Sequence, residues 1–205
     1  MSPPTKYAVA LFRGFQALDV FGPIDALNYM SRNQPLSLSI LHTSLEPVTT
    51  LVDSTPGRIG QSVVPTHTYD TAPEDIEVLL VPGGMGTRDP ENVARVRQFI
   101  KERYPKLRFL LTVCTGSAVA AQSGVLDGRE ATSNKRSFSW VSHHTLSCDS
   151  LSNTSTGRIS RTKRQVGKGS KMGCGRQHLD IIRHFSRHRH DLRLYCQTVR
   201  ARCGR

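Results

Sequence analysis

Four short apolar runs limit what this chain can fold into: "YAVALF" (7–12), "LSLSILHT" (36–43), "IEVLLVPG" (76–83) and "RFLLTVC" (108–114). Each has the length of a strand, and such runs suit strands buried on both faces. Between the first two, Leu18, Phe21, Ala26, Leu27 and Met30 recur at roughly helical spacing, with Pro23 expected in the first turn of that helix. Between the last two, Asp89 is placed to cap a helix, Pro90 takes its first position, and Val93, Val96, Phe99 and Ile100 form its apolar stripe. Residues 48–75, rich in Pro and Gly turns, read as short strands or loops. After Cys114 comes a helix of small residues, "TGSAVAAQSG", closed by Gly124. Alternation of this kind predicts an α/β fold with an open, mostly parallel sheet covered on both faces. In such sheets the reactive crevice lies beyond the carboxyl ends of the strands, which places Pro82–Gly86 and Cys114 on one rim.

Charge divides the chain. Residues 1–140 hold 14 Lys+Arg against 13 Asp+Glu, whereas residues 141–205 hold 14 against 3. Six of the eight His and four of the five Cys also lie in the later segment. The basic average therefore says nothing about the first part. Two regions are expected: a domain over 1–141 and a basic tail over 142–205. The start of the chain lacks the pattern of a secretory signal, no apolar run reaches the ~18 residues of a membrane helix, and one Cys in the first region needs no disulfide framework. A cytoplasmic location with no membrane partner is the expectation.

Three stretches carry chemistry. In "FLLTVCTGSAVAA" an apolar strand runs into Cys114 and a helix opens at once, so the sulfur faces backbone amides and the positive end of the helix dipole, which favour a thiolate. A lone Cys is more often a buried structural residue. Its place at a strand-to-helix elbow tips the reading to a reactive thiol. In "LLVPGGMGTR" the amides of a glycine turn can face an anion or developing oxyanion, although such a turn is often only a turn. It is neither a Walker loop nor a dinucleotide motif. Asp19 in "LDVFGP" is either a capping or solvated carboxylate, or an acid–base partner of the thiol.

In this order, "ALDVFGPIDAL", "LLVPGGMGTR" and "LLTVCTGSAVAAQSGVLDGREAT" resemble the DJ-1/PfpI superfamily over about residues 5–141, and within it the branch of isocyanide hydratases, particularly fungal homologues. The resemblance implies a flavodoxin-like three-layer sandwich whose C-terminal strand and helix are missing or replaced here. It implies Cys114 as nucleophile, Asp19 as its acidic partner, the amides of Gly84 and Thr115 as an anion pocket, and a helping role for the Thr115 hydroxyl. It implies a small-molecule substrate: an isocyanide attacked by the thiolate would give a thioimidate, and water would release a formamide, with no cofactor and no metal. Intact relatives are commonly homodimers. A non-catalytic or stress-sensing domain, with nucleic acid bound through the tail, is the competing expectation. Protease-like members carry His directly after the Cys, where this chain has Thr115, and His42 and His67 lie far upstream, so a hydrolase triad has no support. Where relatives often continue "REAT" into Thr-His-Trp, this chain reads Ser133-Asn134-Lys135.

Beyond "SFSWV" the resemblance stops. Codons permitted for Gln177–Thr198, read one base later, allow NIWTSSGISAGIDMTFAFIAK, close to what the family carries there, and Val141-Ser142 permits a splice-donor sequence. Residues from about 141 to 165 are thus expected to translate a retained intron, with the following exon out of frame. Read instead as function, the tail offers phosphate-binding charge without a recognisable reading motif, or Cys174, His178, His184, His188 and His190 at spacings that fit no usual zinc finger. Loss of the closing strand and helix is expected to leave one sheet face bare and prone to aggregation.

Overall fold

A computed structural model describes residues 2–127, 130–144 and 158–160, the last three and residues 130–132 and 142–144 by their backbone alone. The Cys and His residues weighed as zinc ligands and the bulk of the basic tail lie outside these residues. The elements run β1 (Lys6–Ala10), α1 (Ala17–Met30), β2 (Ser37–His42), β3 (Val48–Thr49), β4 (Ser62–Val63), β5 (His67–Thr68), β6 (Val78–Val81), α2 (Ala94–Arg103), β7 (Phe109–Thr112), α3 (Gly116–Gln122), β8 (Glu130–Thr132), α4 (Phe138–His144) and β9 (Arg158–Ser160).

All four apolar runs become strands of one five-stranded sheet, ordered β5-β2-β1-β6-β7 and parallel throughout. Register is set by pairs such as Tyr7↔Val78 and Val81↔Thr112. β6 is buried at every residue, as a central strand covered on both faces requires. Its neighbour β1 contributes Ala8, Val9 and Ala10 to the same core, which Phe12, Phe15, Phe99 and Ile100 complete. The result is a flavodoxin-like α/β sandwich. β3 and β4 form a separate antiparallel pair in the Pro- and Gly-rich middle, and β8 pairs antiparallel with β9.

Two local expectations need correction. α1 begins at Ala17, so Pro23 lies inside the helix instead of in its first turn. The earlier start is imposed from the sheet: the Gln16 amide donates to the Gly83 carbonyl at 2.8 Å, which fixes the backbone just ahead of Ala17. Asp89 does accept from the Glu91 and Asn92 amides, but these belong to a turn ahead of α2, whose helical bonds begin at Ala94. The apolar stripe is as expected, with Val93, Val96, Phe99 and Ile100 all buried. β7 is an edge strand with Phe109 and Leu111 half-buried, while the exposed large apolar side chains sit on α1 and in loops.

At the amino ends of the strands a polar clamp ties the sheet together. Glu77 accepts from the amides of Thr5 (2.7 Å) and Lys6 (3.2 Å) and pairs with the Arg108 guanidinium. Burial alone would raise its carboxyl, but the Thr5 amide, Arg108 and the Lys6 amide outweigh that and hold it at about 2. A carboxyl depressed below its unfolded value stabilises the fold fully above that value, near pH 4.5, and stops doing so as pH falls through about 2. Glu77→Gln is expected to lose about 1–2 kcal/mol at pH 7. The gap between wild-type and variant urea midpoints should then close as pH is lowered from 5 to 2.

Candidate functional site

The carboxyl ends of β1, β6 and β7 are adjacent in the sheet, and the segments leaving them meet at Gly83. A methyl group placed on Gly83 would stand 2.7 Å from the Thr115 nitrogen, 2.8 Å from Asp19 Oδ2 and 2.8 Å from Cys114 Cβ. Asp19 from α1 and the adjacent Cys114 and Thr115 from the β7–α3 elbow thus crowd a position that only hydrogen can occupy. The expected grouping of Cys114, Asp19, Thr115 and the glycine turn is therefore present in space.

Cys114 adopts φ +53°, the only non-glycine residue with positive φ among those described. The left-handed conformation costs roughly 1–2 kcal/mol for a residue with a Cβ. It is held by the small residues that follow: Gly116 packs where a Cβ would lie 2.2 Å from the Val81 carbonyl oxygen. The Cys114 carbonyl accepts from Ser117 Oγ (2.9 Å) and from Ser133 Oγ (3.4 Å), which anchor the elbow on both sides. Its side chain is half-buried.

Asp19 stands in the first turn of α1, and its Oδ2 accepts from the Gly83 amide at 3.0 Å. Burial pushes its carboxyl above the ordinary range, against that hydrogen bond. The Gly84 amide, expected to face an anion, donates instead to Thr115 Oγ1 at 3.0 Å. The Thr115 amide and hydroxyl both act on the Cys114 sulfur. Gly84 and Thr115 are together as anticipated, but their amides are engaged by the site's own groups, so an incoming anion would have to displace those bonds. Gly84 can take this position because its φ of +141° is open to glycine alone.

The thiol departs from the expected thiolate. Burial pushes it up, the Asp19 charge pushes it further, and hydrogen bonds from the Thr115 amide, the Asn134 amide and the Thr115 hydroxyl only partly oppose them. Burial thus raises both acids, and the Asp19 carboxylate further disfavours a charge on the nearby sulfur.

One contacting residue escaped the sequence reading. Asn134 Nδ2 donates to Cys114 Sγ, and Asn134 Oδ1 accepts from the Ser137 amide at 2.7 Å. Its signal was the departure from Thr-His-Trp noted above. His42 and His67, on β2 and β5, lie toward the opposite edge of the sheet from β7. Among the described residues no group of three or more His, Cys, Asp and Glu could hold a metal, and no helix is long and apolar enough to cross a membrane.

The isonitrile hydratase of Pseudomonas putida is 32% identical over 136 residues, which are 66% of this chain and 53% of that protein. The chain thus spans about half the length of this curated relative. A ThiJ/PfpI family protein from Pseudomonas syringae superposes with a TM-score of 0.55 at 24% identity, over 77% of this chain and 62% of the other. An AraC family transcriptional regulator from P. putida gives 0.56 at 17% identity, over 69% and 72%. These two structural likenesses establish the fold alone. The model of the DJ-1/PfpI family matches residues 5–147, taking in the whole site described above, and the chain belongs to that family.

Proposed function

We propose that this protein adds water to a small isocyanide to give an N-substituted formamide, with Cys114 as nucleophile and Asp19 as proton carrier. The observation that supports it most is the meeting of the Cys114 side chain, the Asp19 carboxyl and the Thr115 amide around the bare Cα of Gly83. Likeness to the isonitrile hydratase supplies the substrate class. Leu18, Phe21 and Met85, which adjoin Asp19 and Gly84 in sequence, are apolar and exposed, and offer contact for the substituent of R–N≡C.

In this reading one proton is shared between Cys114 and Asp19, and the chemistry follows from it. Transfer from sulfur to Asp19 creates the nucleophile without a net change of charge. The sulfur pair forms a bond to the terminal carbon of R–N≡C, and Asp19 delivers its proton to that same carbon, giving the thioimidate Cys–S–CH=N–R. Water then adds across the C=N bond, its oxygen to carbon and one proton to nitrogen. On collapse the C=O bond forms, the C–S bond breaks with its pair returning to sulfur, and the hydroxyl proton returns to the Cys114–Asp19 pair. The sum is R–N≡C plus water giving R–NH–CHO, with nothing oxidised or reduced. Such chemistry suits a reducing compartment, and we place the protein in the cytoplasm.

Incubation of the full chain with cyclohexyl isocyanide should release the matching formamide, detected by mass. Cys114→Ser should abolish release. A wild-type protein whose Cys114 reacts with iodoacetamide yet yields no formamide overturns the proposal. Asp19→Asn should lower the Cys114 pKa, because a negative charge is removed from beside the thiol, and still reduce formamide release at least ~100-fold, in line with the loss of a general acid. An inert, passive carboxylate would leave turnover intact.

A further inference from the structure

Asn134 is held at both ends of its carboxamide, and only one of those contacts is structural. The Oδ1 contact caps the turn Lys135–Ser137 by accepting from the Ser137 amide. A backbone N–H can only donate, so the oxygen must face it and the NH2 must face the other way. The other way is the Cys114 sulfur. Ser133, buried beside it, ties the same segment to the Cys114 carbonyl, so the distance between amide and sulfur is set by backbone-level contacts.

We infer that Asn134 is a sulfur-facing donor in this site: its amide, oriented by the Ser137 N–H, stabilises the anionic form of Cys114 and draws the shared proton toward Asp19. A donor to sulfur favours S⁻ over S–H, and favours S⁻ over the thioether sulfur of a covalent intermediate, which is a weak acceptor. The contact therefore gains when the thiolate forms and again when the C–S bond breaks with its pair returning to sulfur. Where the family resemblance leads one to expect an imidazole, this chain has an amide that carries no charge at any ordinary pH. Arg88 is stacked on Trp140 at 4.5 Å, and Lys135 and Arg136 are exposed. Asp19 is then the charged group acting on the sulfur among the described residues. The thiol should titrate with a single limb coupled to Asp19.

This inference rests on Cys114 being the reactive thiol but not on the identity of the substrate, so the test reads the thiol directly. The full chain is alkylated with iodoacetamide from pH 5 to 10, and the rate at Cys114 is followed by peptide mass mapping, because four other cysteines are present. Asn134→Asp keeps an acceptor for Ser137 but replaces the donor with a negative charge. It should raise the Cys114 pKa and slow alkylation at pH 7 at least tenfold, with a melting temperature near wild type. Asn134→Ser also keeps a capping oxygen but removes the longer Nδ2 arm that reaches the sulfur; a smaller rise is expected, again without loss of melting temperature. Asn134→Ala should show a similar pKa rise and a lower melting temperature, since the cap is lost too. If Asn134→Asp fails to fold, Asn134→Ser decides. A wild-type titration curve in the folded capping variants overturns the inference and leaves Asn134 as a cap only. Absent formamide release from a protein whose titration shifts as described would count against the proposed reaction and not against this donor.

Discussion

Everything at the carboxyl rim depends on the absence of a side chain at Gly83. Three segments that are distant in sequence can converge only because the middle of the contact is a Cα–H. Any Cβ there would press on the Thr115 nitrogen, on Asp19 Oδ2 and on Cys114 Cβ at less than 3 Å. Parallel registry of β1, β6 and β7 brings the segments to the same level, and the glycine lets them close the last distance. The Gly83 backbone then serves both neighbours. Its N–H holds Asp19, and its carbonyl fixes the start of the helix on which Asp19 stands.

The chemistry that such crowding produces is not that of a simple low-pKa cysteine. Burial works against charge on either acid, and the Asp19 charge works against charge on the sulfur. A sulfur made comfortable as an anion by fixed positive charge would be reactive all the time. Here the groups that favour charge on the sulfur are neutral: the amide and hydroxyl of Thr115 and the amide of Asn134. This arrangement suits addition to a carbon that must gain both a sulfur and a proton.

Much of this was visible in the chain. The strands were legible because a strand buried on both faces must be apolar throughout, and each run found its place in the sheet. The elbow at Cys114 was legible because an apolar strand followed at once by Thr-Gly-Ser-Ala leaves little other path for the backbone. What stayed hidden was nonlocal. Pro23 looked like a helix start, yet the Gly83 carbonyl sets the start of α1 at the other side of the site. The glycine-turn amides looked free, yet Thr115 Oγ1 takes one of them. The thiol looked activated by a helix end, yet desolvation is a property of the packed fold and no local motif announces it. Asn134 lies 20 residues from the sulfur that it touches and follows no motif that marks a donor.

The left-handed backbone at Cys114 has a consequence for the history of such a chain. This conformation is uncomfortable for the residue that chemistry requires and comfortable for glycine. While a reaction is under selection, the discomfort is tolerated. Once it is not, drift at this codon toward glycine relaxes the elbow, so a copy released from its task would be rewarded in foldability for discarding its sulfur. Cysteine at such a bend is therefore a residue that foldability alone would not choose.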